Sequence, residues 1–167
     1  MSTVLITGGT GAIGAALTEE FARTDDVIFT YNSNKEQARS LMGKLNCFCA
    51  PMDVSDINSV NNTVRNVLCE FGHIDILVNN AGISLIKPFL DTSYENWRRM
   101  IDVDLTGVFN VTRAVARSMV SRKSGAVVNV SSVWGVYGAS CEVAYSAAKA
   151  GVIGFTKALA KELGLSG

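Results

Sequence analysis

Short apolar runs alternate with segments of helical period along the whole chain. Five runs read as strands, Val4–Thr7, Val27–Tyr31, Cys47–Ala50, Ile74–Val78 and Ala126–Val130. Most of them are apolar at consecutive rather than alternating positions, the pattern of strands covered by helices on both faces. Between them, helical periodicity marks Ala12–Arg23, Lys35–Leu45 and Ile57–Phe71, the last preceded by Ser55-Asp56 as an N-cap. A longer helical region follows. Thr92 or Ser93 caps it, and Trp97, Met100, Ile101, Leu105, Val108, Val111 and Val115 give a broken period up to about Val120, with Gly107 as a bend. Beyond the fifth run, a Gly/Ser-rich loop leads into a helix from about Val143 to Leu163. This β-α-β alternation predicts an α/β fold built on a doubly wound parallel sheet.

No repeat, low-complexity tract or linker interrupts the pattern, so residues 1–167 read as a single domain. The last helix meets a stop signal at Glu162-Leu163-Gly164 and the chain ends three residues later. No strand receives the right-handed crossover that this helix begins, so the fold is expected to be incomplete at its C-terminus.

Charge narrows the partners. Fifteen Lys+Arg balance 15 Asp+Glu, and 48% of residues are hydrophobic. A neutral chain has no surplus with which to neutralise phosphates, which argues against nucleic acid or an anionic membrane. Its apolar content argues against disorder. Cys47, Cys49, Cys69 and Cys141 form no CxxC pair and His73 is the only histidine, so no metal site is expected. Val4-Leu5-Ile6 lacks a basic segment before it and is broken at Thr7-Gly8-Gly9, unlike a secretory signal. Four reduced thiols then suit a cytoplasmic protein.

Two clusters carry chemistry. Directly after the first strand stands Thr7-Gly8-Gly9-Thr10-Gly11-Ala12-Ile13-Gly14, in which Gly9, Gly11 and Gly14 satisfy GxGxxG at the start of a helix. Glycine there permits a tight turn, close approach of a pyrophosphate and tight helix packing, and the helix N-terminus offers N–H groups to phosphate. The second strand ends Thr30-Tyr31-Asn32-Ser33-Asn34-Lys35, with no carboxylate to accept from a ribose 2′-OH; Asp25 and Asp26 lie at its other end. Asn32, Ser33 and Lys35 suit a 2′-phosphate instead, so NADP(H) is favoured over NAD(H). Tyr145 and Lys149 are spaced i, i+4 on the last helix, and Ser132 lies just past the fifth strand, where open α/β sheets bind ligands. An ammonium beside a phenol favours the phenolate, and a serine hydroxyl stabilises charge developing on a substrate oxygen.

Together these residues resemble the short-chain dehydrogenase/reductase superfamily over the whole chain. The matching positions are Thr7 to Gly14, Asp53-Val54 after the third strand, Asn79-Asn80-Ala81-Gly82 after the fourth, Ser132, and Tyr145-Ser-Ala-Ala-Lys149. The resemblance implies a Rossmann-type sheet, ordered 3-2-1-4-5 with the family's last strands missing, and hydride transfer between nicotinamide and a carbonyl. It implies Gly8, Gly9, Thr10, Gly11, Ile13 and Gly14 on the phosphates, and Asn32 and Ser33 at the ribose. It puts Asp53 and Val54 beside adenine, with Asn80, Ala81 and Gly82 supporting the cofactor. Tyr145 would donate the proton; Lys149 would hold the nicotinamide ribose beside it. Three departures stand out. Gly11 and Ala12 replace residues that are basic and glycine, respectively, in many members, so a common NADP-binding arginine is missing. Asp104 occupies the place of the usual proton-relay asparagine, where it accepts from a water or pairs with Lys149. The final strands, a Pro-Gly loop and a substrate-covering segment are absent, so the 167-residue polypeptide alone is expected to be poorly soluble and inactive and the complete gene product a reductase.

Within the superfamily the chain is similar to 3-oxoacyl-[acyl-carrier-protein] reductases, which implies a small-molecule or carrier-bound carbonyl substrate. The stretch Ser132 to Val143 is also similar to reductases of the 5-aminopentanoyl modification on elongation factor P, with Glu142 available to an amine. A truncated, non-catalytic dinucleotide-binding module is the remaining alternative. The resemblance further implies a homodimer or homotetramer through the last two long helices.

Overall fold

The computed structural model describes residues 1–45 and 47–167. Five parallel strands form one sheet: β1 (Thr3–Ile6), β2 (Asp26–Tyr31), β3 (Cys47–Pro51), β4 (Ile76–Asn79) and β5 (Ala126–Asn129). Their order is β3-β2-β1-β4-β5, so the chain winds outward in both directions from β1. The order is the expected one. Leu5, Ile28 and Leu77 point to one face, where they pack with Val60, Val64 and Val67 of α3 (Ile57–Phe71) and Val111 and Val115 of α5 (Gly107–Arg122). Val4, Ile6, Val27 and Phe29 point to the other, beneath Leu17 and Phe21 of α1 (Ala12–Phe21) and Ala38 of α2 (Lys35–Lys44). Consecutive strand residues are buried because both faces are covered.

Local chemistry sets the helix starts. The Asp56 carboxylate accepts from Asn58 N at 2.9 Å ahead of α3, and Ser93 Oγ accepts from Asn96 N at 3.2 Å ahead of α4 (Tyr94–Ile101). The long helical region is not one bent helix. A π-helical turn over Asp102–Thr106 separates α4 from α5, and the extra residue per turn accounts for the broken apolar period. Gly107 is small because α5 rests on Val54, whose Cγ2 would stand 2.7 Å from a Cβ there. A 3₁₀ turn (Phe89–Asp91) and short α6 (Trp134–Tyr137) occupy stretches with no sequence period, and α7 (Val143–Leu163) closes the fold.

β4 starts two residues later than the apolar run, although the Asp75 main chain still bonds both neighbours, donating to the Thr3 carbonyl and accepting from Ala126 N at 2.8 Å each, while its side chain makes a tie. Its carboxylate accepts from Thr3 N at 2.9 Å and from Arg122 at 3.0 Å, and lies 3.2 Å from His73. Burial raises the Asp75 carboxyl, but the Thr3 N–H, Arg122 and His73 outweigh that and hold it below the ordinary carboxylate range. A depressed carboxyl contributes stability above its unfolded value, near 3.9, and loses it as pH falls through the folded value. Asp75→Asn is therefore expected to cost about 1 kcal/mol at pH 7 in urea unfolding, with the two proteins converging in acid. A constant difference down to about pH 2 contradicts the tie.

β5 is an edge strand with Val128 half exposed. Cys47 is buried and Cys49 half-buried on one side of β3, and all four cysteines are free. Among the described residues there is no metal-binding cluster and no helix long and apolar enough to cross a membrane.

Candidate active site

The carboxyl ends of β1, β2 and β4 open into one cleft of about 490 Å³. Its floor is knitted from two loops. Thr7 Oγ accepts from Asn80 N at 3.0 Å and Ala81 N at 2.9 Å, while Asn80 Nδ2 donates to the carbonyls of Thr7 and Gly8 at 3.0 and 3.1 Å. Gly8 turns with φ of +69°, in the left-handed region that only glycine adopts without strain. A Cβ on Gly14 would overlap the Gly8 carbonyl oxygen, so the first turn of α1 can sit directly on the loop only with glycine there. No side chain caps α1, which leaves the N–H groups of its first turn free for an anion in the cleft.

Gly8, Thr10, Gly11, Ile13 and Gly14 line this cleft, as do Asn32 and Ser33 at the end of β2. Asp53, Val54, Asn80, Ala81 and Gly82 line it too, whereas Gly9, Tyr145 and Lys149 of the expected set do not. Gly9 stands apart. It lies behind the wall against Phe29, whose Cβ would be 2.5 Å from a Cβ at Gly9, so its smallness serves packing on β2. Lys35 is exposed in the first turn of α2 and is not part of the wall. Asn34 is committed to the α2 cap, accepting from Gln37 N at 3.1 Å. The Asp53 carboxylate accepts from Ser55 N at 2.9 Å and Ser55 Oγ at 2.6 Å.

The second cluster adjoins the Asn80–Gly82 loop. Tyr145 and Lys149 are one turn apart on α7, with Lys149 Nζ 5.6 Å from the centroid of the tyrosine ring. Lys149 is buried, donates to the Val130 carbonyl at 3.2 Å, and stands 3.2 Å from Asp104 Oδ2. That last contact is an ion pair off the hydrogen-bonding direction, since Oδ2 has no hydrogen-bond partner among the described residues. Asp104 Oδ1 accepts from Ile83 N at 2.8 Å. Burial raises the Asp104 carboxyl, opposed by the Ile83 N–H and by Lys149. Gly82 passes over the pair so closely that a Cβ there would be 2.8 Å from Asp104 Oδ2 and 3.3 Å from Lys149 Nζ. The cleft and the ion pair thus share one wall.

Ser132 is half-buried at the mouth of β5, and its Oγ accepts from Trp134 N at 3.2 Å. Its loop continues into α6, which rests on α7: a Cβ at Gly135 would be 2.7 Å from the Lys149 carbonyl carbon. Ser131 Oγ donates to the Lys149 carbonyl at 2.9 Å. Cys141 takes φ of +61°, a strained value for a residue with a Cβ, where the chain turns into α7. Sequence reasoning missed the carbonyl of Val130 and the N–H of Ile83, because main-chain groups carry no residue signature. It also missed Arg99, which lines the cleft; nothing in the sequence sets it apart from its neighbour Arg98.

The family model described as short chain dehydrogenase matches residues 2–167. The 3-oxoacyl-[acyl-carrier-protein] reductase FabG of Thermotoga maritima is 40% identical over 166 residues, covering 95% of this chain and 67% of its own length. Nodulation protein G of Azospirillum brasilense is 41% identical over 170 residues, covering 98% and 69%. A solved short-chain dehydrogenase from Streptomyces avermitilis superposes with a TM-score of 0.94 at 31% identity, over 99% of this chain and 62% of that one. The chain therefore spans about two thirds of the length of the relatives it matches.

Proposed function

Because the chain belongs to the short-chain dehydrogenase family, whose members are NAD(P)-dependent oxidoreductases acting on carbonyl or hydroxyl groups, we propose that it serves an NADP(H)-dependent ketoreductase. Its substrate on this reading is a small-molecule or carrier-bound carbonyl, as the names of its 3-oxoacyl-[acyl-carrier-protein] reductase relatives suggest. The observation that carries it is the buried Lys149, fixed by Asp104 and the Val130 carbonyl one turn from Tyr145, at the edge of a glycine-lined cleft.

The cleft fits a dinucleotide. The uncapped first turn of α1 and the bare Gly8–Gly14 contact suit a pyrophosphate, Val54 and Val103 suit adenine, and Asn32 and Ser33 suit a phosphorylated ribose. When bound, the dinucleotide supplies the hydride for the carbonyl carbon. Tyr145 donates the proton to the carbonyl oxygen, and Ser132 Oγ stabilises charge on that oxygen by hydrogen bonding. Lys149 stands beside the phenol and would hold the nicotinamide ribose, while Asp104 and the Val130 carbonyl stop it from swinging away. Half-exposed Phe109 and Val120 on α5 support the expected homo-oligomer. Four free cysteines support a reducing, cytoplasmic setting.

One feature favours the second reading, an amine-bearing ketone. Glu142 immediately precedes α7, half-buried and one turn before Tyr145, and its side chain makes no cap to the helix, which supports a carboxylate available to an amine. The test is NADPH consumption by the product of the complete gene, whatever its length, offered a 3-oxoacyl thioester or an aminoketone. Tyr145→Phe is expected to lower turnover by roughly 100- to 10,000-fold while cofactor affinity stays within about twofold. Equal turnover by wild type and variant would sink the assignment of Tyr145. Preference for the aminoketone would move the substrate to the second reading.

A further inference from the structure

Resting on the NADP(H) reading, we propose that Arg99 is the residue that selects the phosphorylated cofactor, by supplying the positive charge for the ribose 2′-phosphate from the wall opposite β2. Neither the glycine loop nor the β2 end contributes a charged side chain to this cleft. Among the described residues that line it, Arg99 is the one cation and Asp53 the one anion. Arg99 on α4 and Val103 in the π-helical turn that follows both line the cleft. A second, adjoining cavity is bounded by Arg99, Asn32 and Asp53 together, so the guanidinium and the β2 end border one open space.

The neighbouring charges are already engaged. Arg98 donates to Tyr94 Oη at 3.3 Å and pairs with Asp102 at 3.8 Å. Asp53 is held by Ser55 through two hydrogen bonds. Glu95 is drawn towards the α4 N-terminus, where its own backbone N–H and Ser93 hold its carboxyl below the ordinary range. Arg99 has no ion pair and no side-chain hydrogen bond among the described residues. An arginine left unpaired on the wall of a cleft that Asn32 and Ser33 also line is suited to a phosphate dianion, because its planar fork donates to two oxygens at once. Lys35 is the rival cation; it is exposed on α2 outside the wall.

The test is fluorescence titration of the 167-residue chain and its variants with NADPH and NADH, with 2′,5′-ADP and 5′-AMP as competitors. Wild type is expected to prefer NADPH. Arg99→Ala is expected to lose about tenfold or more in NADPH and 2′,5′-ADP affinity, with NADH and 5′-AMP changed less than about twofold. Arg99→Lys keeps part of the preference, and Lys35→Ala keeps nearly all of it. Equal losses for both cofactors overturn the proposal and make Arg99 a contact to the shared adenosine. A loss confined to Lys35→Ala overturns it in favour of α2. A wild type that binds both cofactors alike removes the NADP(H) reading itself, and the proposal with it. Unfolding midpoints within about 2 °C of wild type show that the exposed Arg99 acts on the ligand and not on the fold.

Discussion

Gly14→Val is expected to cost the chain about a hundredfold or more in dinucleotide affinity, and to destabilise it by about 1–3 kcal/mol through overpacking. A Cβ at this position runs into the Gly8 carbonyl oxygen, with Asn80 Nδ2 next at 2.7 Å. Neither can retreat cheaply. The Gly8 carbonyl accepts from Gly11 N at 3.1 Å and from Asn80 Nδ2 at 3.1 Å, and Asn80 also holds the Thr7 carbonyl. Moving α1 outward therefore unpicks the tie between the β1 and β4 loops and turns the first-turn N–H groups away from the anion. Gly154→Ala is the control. It lies mid-helix in α7 with nothing within 4 Å of an added Cβ, so it should stabilise by about 0.5–1 kcal/mol and leave binding untouched. Isothermal titration with NADPH and urea unfolding measure both effects. Unchanged affinity in Gly14→Val would mean that the cleft does not bind phosphate through α1.

Asp104→Ala should be the most damaging single change to stability. It leaves the Lys149 ammonium buried without its counter-ion and the Ile83 N–H without its acceptor. Breaking one side of a buried pair costs roughly 3–5 kcal/mol, because the remaining charge stays desolvated. Asp104→Asn keeps the volume and an acceptor for Ile83 but also strands the buried ammonium, so it should carry most of that cost, less only the share due to the Ile83 N–H and the lost volume. The contrast separates the ion pair from simple loss of volume. Equal, small losses of about 1 kcal/mol in both variants would show that Lys149 escapes to water when the carboxylate is gone.

The sheet was legible because its physics is local. Residues such as Val4, Leu5 and Ile6 are apolar in succession, and only a strand covered on both sides uses them all. The start of β4 was less so: Ile74 belongs to the core yet precedes the strand, and the Asp75 side chain ties Thr3 and Arg122, groups remote in sequence. The break between α4 and α5 was visible only as a disturbed period. Its cause, a π-helical turn with Asp104 buried against Lys149, is tertiary. The site divides the same way. Tyr145 and Lys149 declare themselves by i, i+4 spacing, and Gly14 by its motif. The Val130 carbonyl and Ile83 N–H that anchor the lysine pair do not, since any residue supplies them. Gly9 fits the same motif as its neighbours, yet Phe29 occupies its far side and takes it out of the cleft wall.

The most direct measurement is the fluorescence titration of the unmodified 167-residue chain with NADPH. If the cleft at the carboxyl ends of β1, β2 and β4 is the dinucleotide site, its lining residues should give saturable one-to-one binding, with an unfolding midpoint that rises with cofactor concentration as linkage requires. A flat titration on a chain that unfolds cooperatively would contradict it.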